Sequence, residues 1–69
     1  MTNSTYLDRL RGAMAERRIS QREAAERLGI SQPSLSDRMN RRTPMSVDEL
    51  LTLADMLGVA PADLLGDAA

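Results

Sequence analysis

Cysteine, histidine, lysine, tryptophan and phenylalanine are absent from this chain of 69 residues, and Tyr6 is its single aromatic residue. Without cysteine the chain has neither a disulfide nor a thiolate metal site, and without histidine it lacks the commonest imidazole ligand and acid–base group. We therefore expect no enzyme activity, no catalytic residue, no metal and no cofactor. Nothing in the sequence implies a small-molecule ligand.

Long apolar runs are missing as well. No stretch approaches the length of a membrane-spanning helix, and the first residues lack the basic-then-apolar layout of a secretory signal. We therefore predict no membrane partner and a cytoplasmic location. The length suits one small domain over residues 1–69, near the lower limit of what folds unaided.

Charge is divided unevenly along the sequence. Residues 1–43 hold all nine arginines and five acidic residues, a net charge of +4, whereas residues 44–69 hold the other five acidic residues and no base, a net charge of −5. The net charge of the whole chain, −1, conceals this division. A basic half of this kind indicates contact with nucleic acid, and arginine suits both phosphates and base edges.

Helical spacing of apolar residues dominates the sequence. Valine and isoleucine total four residues, and no stretch alternates apolar and polar residues, which argues against strands. We predict an all-α fold, a compact bundle of five short helices at approximately residues 5–17, 20–28, 31–40, 46–57 and 61–65.

Start and stop signals mark the second to fourth helices. SQRE at 20–23 and SVDE at 46–49 fit the capping box, in which a serine and a glutamate satisfy each other's backbone amides. Gly29 and Gly58 are placed to end the helices that these boxes begin. A third helix that starts at Ser31 leaves only a tight turn after Gly29, and this spacing predicts a helix-turn-helix.

Two stretches resemble a known family. The phage-repressor family comprises the Cro-like and lambda-repressor-like DNA-binding regulators. Its helix-turn-helix is similar to ISQREAAERLGISQPSLSDRMN (19–40). Its fourth and fifth helices are similar to SVDELLTLADMLGVAPADLL (46–65). The resemblance covers the chain from Tyr6 to Leu65. It implies binding to double-stranded operator DNA, usually as a dimer, with the third helix in the major groove.

The resemblance places four side chains of the third helix at base edges: Gln32, Pro33, Ser36 and Asp37. Gln32 is the leading candidate, because a glutamine amide can bond an adenine edge at two points. Pro33 has no side-chain donor, so it is expected to pack on a thymine methyl or to set the local shape. Asp37 either accepts a hydrogen bond from a cytosine amino group or pairs with Arg41 or Arg38, and the pairing is the preferred interpretation.

The resemblance also implies six contacts to the DNA backbone: Gln21, Ser34, Arg38, Asn40, Arg41 and Arg42. Gln21 stands at the start of the second helix, where backbone amides favour an anion. Arg38 stands where relatives have an apolar residue, so we expect its stem along the core edge and its guanidinium on phosphate. Arg41 and Arg18 stand where relatives frequently have glycine, which predicts a different turn at Arg41 and backbone strain at Arg18.

One paired difference from the family concerns the core. Many relatives carry an arginine and a glutamate, paired between the first and third helices, where this sequence has Met14 and Met39. We predict that the two methionines touch. Apolar side chains frequently replace a buried ion pair without loss of stability, so the bundle is expected to survive the change.

Leu64 and Leu65 are adjacent in the short fifth helix, and one of them is predicted to contact the partner in a homodimer. The sequence thus favours a sequence-specific transcription regulator, and specifically a repressor. Two alternatives stay open at this point. One is a protein-interaction or antitoxin-like helical module that works through its acidic C-terminal half, and the other is the DNA-binding head of a longer repressor.

Overall fold

The structure is a computed structural model that describes residues 5–65. These residues form five α-helices, and no strand occurs among them: α1 (Thr5–Glu16), α2 (Gln21–Leu28), α3 (Gln32–Met39), α4 (Val47–Leu57) and α5 (Pro61–Leu65). The predicted all-α bundle of five helices is confirmed. Within the described residues, each helix is too short or too polar to cross a membrane.

Local sequence signals set the helix boundaries. In the capping box of α2, the Ser20 hydroxyl accepts from the Glu23 amide at 3.1 Å, and a Glu23 carboxylate oxygen accepts from the Ser20 amide at 2.9 Å. Ser46 and Glu49 form the same pair of bonds at the start of α4, at 3.0 and 2.9 Å. Both predicted capping boxes are therefore present, and each serine lies just outside its helix.

The turn between α2 and α3 consists of residues 29–31. Gly29 has the left-handed conformation, with φ of 75°, and the amides of Gly29 and Ile30 donate back to the carbonyls of Glu26 and Ala25. Glycine takes this conformation without the steric cost that a Cβ atom brings. Ser31 is extended and caps α3, so the chain changes direction within three residues. This is the helix-turn-helix that the spacing predicts.

All five helices contribute to one apolar core. Its largest fully buried side chains are Leu10 of α1, Leu35 and Met39 of α3, and Leu53 of α4. Helix α2 contributes only Ala24 and Ala25, and these small side chains let it pack against both α3 and α4. Leu35 and Met39 anchor α3 in this core, while Gln32 and Pro33 of its first turn stay exposed.

Met14 and Met39 are both buried in this core, and they line the same cleft between α1 and α3. The structure thus places the two methionines at one cleft, and their direct contact stays a prediction. Both side chains are apolar, and no charged residue is buried among the described residues.

Helix α5 packs against α1 and α4, and its two leucines have different surroundings. Leu64 is 2% exposed and belongs to the core, whereas Leu65 is 46% exposed. The assignment of Leu64 as a dimer contact is therefore corrected, because the side chain already packs inside its own bundle. Leu65 is the member of the pair that stays at the surface.

Candidate nucleic-acid interface

The first turn of α3 exposes Gln32 and Pro33 to solvent. The Ser31 hydroxyl caps this turn, because it accepts from the Ser34 amide at 3.2 Å and donates to the Ser34 hydroxyl at 2.9 Å. Ser34 is half-buried. A capped turn that carries an exposed amide side chain is suited to reading a base edge, because the backbone that bears Gln32 is already helical and the amide can both donate and accept.

Gln21 begins α2 directly after the capping residue Ser20. It is half-buried, and it lines the cleft that Met14 and Met39 share. The start of α2 therefore lies beside the C-terminal end of α3. Backbone amides at a helix start favour an anion, and so this position suits a phosphate of the DNA that α3 would read.

The last turn of α3 is tied to α1 by a side chain that the sequence did not single out. Arg11 donates from Nη2 to the carbonyl oxygen of Met39 at 2.9 Å and to Oδ1 of Asn40 at 3.0 Å. Asn40 in turn donates from Nδ2 to the Ser36 hydroxyl at 3.3 Å. An arginine on the last carbonyl groups of a helix stabilises that end. The sequence carries no signal for this link, because 28 residues separate Arg11 from Met39.

Asp37 pairs with Arg42, whose Nη1 lies 3.5 Å from Oδ1 of the carboxylate. The predicted ion pair of Asp37 is thus present, but the predicted partners, Arg41 and Arg38, are wrong. The reason is the backbone after α3: the amides of Arg42 and Thr43 both donate to the Asp37 carbonyl, at 2.8 and 3.3 Å, which folds Arg42 back over Asp37. Both side chains are exposed, so this pair contributes little to stability.

Arg38 is the clearest correction to the predicted site. Its Nε donates to both oxygens of Glu49 at 3.0 Å, and its Nη1 donates to the carbonyl of Ser34 at 2.9 Å. The expected stem along the core edge is found, since the side chain is only 20% exposed. The guanidinium, however, is engaged by α4 instead of being presented to phosphate.

The Glu49 carboxylate receives bonds from two sides. The hydrogen bond from the Ser46 amide is the main reason that the pKa of Glu49 lies below its usual value. Partial burial opposes this lowering of the pKa, and the neighbouring Arg38 guanidinium adds to it. Glu49 is therefore ionised at neutral pH, as the contact with Arg38 requires.

Two arginines occupy the left-handed region of backbone conformation, Arg18 with φ of 56° and Arg41 with φ of 66°. The predicted strain at Arg18 is confirmed, and Arg41 shares it. Arg41 is exposed, makes no ion pair with residues 5–65, and lines an open cleft with Arg42 and Pro44 at the end of α3. A strained, exposed arginine beside α3 points to a functional role for this side chain.

Replacing Arg41 with glycine is expected to raise the free energy of unfolding by about 1 kcal/mol, because glycine adopts the left-handed conformation without a Cβ clash. The same change is expected to weaken DNA binding on all sequences and to lower the salt dependence, log K against log [salt], by about 0.9 for one lost phosphate contact. Urea unfolding and binding titrations at several salt concentrations measure the two effects. Arg18→Gly is the matched control for relief of strain alone. An unchanged salt dependence in Arg41→Gly would remove the phosphate assignment.

A three-residue turn between α2 and α3, an outward-facing first turn on α3 and an arginine-bearing loop after it define a helix-turn-helix protein that binds DNA. Residues 9–69 match the family model of the Cro/C1-type HTH DNA-binding domain. The chain belongs to this family, and it is a DNA-binding transcription regulator. Neither a curated protein nor a solved structure matches the chain.

Proposed function

We propose that the chain is a sequence-specific repressor that binds a two-fold operator as a homodimer, with α3 in the major groove, in the cytoplasm. One observation carries the proposal: the first turn of α3 presents Gln32 to solvent, while Leu35, three residues further on, anchors the same helix in the core with no exposed surface. A helix anchored in this way stays folded when it enters the groove. Repression then follows from occupancy, because the bound domain blocks access to the operator.

The proposed roles follow the surroundings of each side chain. Gln32 contacts a base edge at two points, and Pro33 packs beside it. Ser36 and Asp37, one turn further along α3, are the other proposed base contacts. Asn40 donates a hydrogen bond to Ser36, and Arg42 pairs with Asp37. The proposed contacts to the DNA backbone are Gln21, Ser34, Asn40, Arg41 and Arg42.

Dimerisation is part of the proposal because one domain of this size makes few contacts to DNA. Two copies on a two-fold operator read two half-sites about one helical turn apart, which multiplies the number of base contacts. Leu65, which is exposed on α5 next to the buried Leu64, is the proposed contact to the second copy. Residues 1–69 are proposed to act as a single domain.

Selection of bound sequences from random duplex DNA tests this function. We expect a palindromic motif with half-sites about one helical turn apart, and an affinity that falls steeply as salt rises. Gln32→Ala, run in parallel, is expected to lose enrichment at one base pair in each half-site. Enrichment of a single, non-palindromic site would remove the dimer from the proposal. Equal enrichment in Gln32→Ala and the wild type would remove Gln32 from the base contacts, and no enriched sequence at all would remove sequence-specific reading.

A further inference from the structure

The contact between Arg38 and Glu49 differs from every other ion pair among residues 5–65. Its two side chains are 20% and 19% exposed, whereas each partner in the other pairs is at least 37% exposed. It joins the last turn of α3 to the first turn of α4. A pair that water screens so little holds its two partners more firmly than a surface pair does.

The geometry restrains Arg38 from two directions. Its Nε donates to both carboxylate oxygens of Glu49, on α4, and its Nη1 donates to the Ser34 carbonyl one turn back along α3. One of those carboxylate oxygens also accepts from the Ser46 amide at 2.9 Å. The same carboxylate therefore caps α4 and holds α3, so that the orientation of α3 is linked to the start of α4.

We propose that Arg38 and Glu49 are positioning residues, which hold α3 at the angle that DNA reading requires and keep the Arg38 guanidinium away from the phosphates. The inference rests on the proposed role of α3 in the major groove. Arg38 lies six residues beyond Gln32, about 9 Å along the helix axis at 1.5 Å per residue. A small rotation of α3 after loss of the pair displaces the Gln32 amide from the base edge, and base contacts tolerate little displacement.

Glu49→Gln distinguishes the positioning role from a phosphate contact of Arg38, because the two roles predict opposite changes in operator affinity. Glutamine still serves the capping box, so α4 keeps its start while the negative charge is removed. If the pair positions α3, the affinity for the selected operator falls roughly 3- to 30-fold, and the salt dependence is unchanged. If Arg38 instead binds phosphate whenever it is free, the same substitution raises the affinity and steepens the salt dependence by about 0.9.

Two further variants complete the experiment. Asp48→Asn removes a neighbouring exposed negative charge that makes no ion pair among residues 5–65. It therefore measures how much DNA affinity rises when one negative charge is removed, and Glu49→Gln is compared with it. Arg38→Met is expected to lower operator affinity as Glu49→Gln does, without a change in salt dependence. A salt dependence shallower by about 0.9 in Arg38→Met would overturn the inference even if Glu49→Gln failed to fold.

The ratio of operator affinity to affinity for random duplex is the measurement that a merely structural role would not change. It is taken at a temperature where circular dichroism shows each variant folded, and both variants of the pair are expected to lower it. If the wild type itself shows no preference for any sequence, the proposed function fails. If the wild type prefers an operator and Glu49→Gln retains the ratio of Asp48→Asn, only the positioning role fails.

Discussion

Leu35→Ala is expected to leave most of the protein unfolded. Leu35 has no exposed surface, and it joins α3 to the core that all five helices share. Truncation of a buried leucine costs about 2–5 kcal/mol, because the transfer free energy of the lost methyl groups is added to that of the cavity they leave. The core of a domain of this size rarely contributes more than about 3–5 kcal/mol of net stability. The loss is thus comparable with the whole free energy of unfolding.

Urea unfolding followed by far-ultraviolet circular dichroism is the measurement, because it follows the loss of helix as denaturant rises. Leu51→Ala is the matched control, since Leu51 is 45% exposed on α4 and its truncation leaves no closed cavity. It is expected to change stability by less than about 1 kcal/mol. Equal losses in the two variants would show that Leu35 does not anchor α3, and would weaken the argument for a rigid recognition helix.

Gln32→Ala is expected to weaken operator binding by about 1–3 kcal/mol for each half-site and to relax the preference at one base pair. The side chain is exposed on a turn that Ser31 caps, so its removal leaves the fold intact. The salt dependence is expected to stay the same, because a glutamine amide displaces no counterion from phosphate. Titrations against the selected operator and against its single-base variants measure both effects.

Gln21→Ala is the matched control for this prediction, because it removes the same side chain from the start of the preceding helix. Its loss is expected to be uniform across sequences, as for any contact to the DNA backbone. A uniform loss for Gln32→Ala as well would mean that the first turn of α3 does not read bases. The preference would then have to come from residues further along the helix, such as Ser36.

The helices were predictable because their signals are local. The capping boxes at Ser20 and Ser46 depend on residues three positions apart, and the left-handed glycine at position 29 ends α2 wherever that helix lies. The apolar residues at helical spacing, including Leu35, are buried in the core because every helix has to bury one face. The exposure of Gln32 does not follow from this spacing, because residues three positions apart lie on the same side of a helix. Only the tertiary structure shows that Leu35 is buried while Gln32 is exposed.

The partners of the charged side chains were not predictable in the same way. Arg38 was expected on phosphate but bonds Glu49, 11 residues away, and Arg11 reaches Asn40 across 29 residues. An arginine stem is long enough to reach several acceptors, and the helix packing decides which of them is near. Asp37 shows the same limit at short range: its expected pair exists, but the backbone turn at Arg41 selects Arg42 as the partner.

By itself, the sequence determined the five helices, the capped ends of α2 to α4, the tight turn before α3 and membership of a DNA-binding family. Only the tertiary structure decided that Arg38 is held by α4, that Arg11 supports the end of α3, and that Leu64 belongs to the core while Leu65 does not. The physical reason is how far apart along the sequence the interacting residues lie. A helix and its caps are closed by hydrogen bonds between residues three or four positions apart, whereas an ion pair or a buried leucine depends on which helices lie side by side.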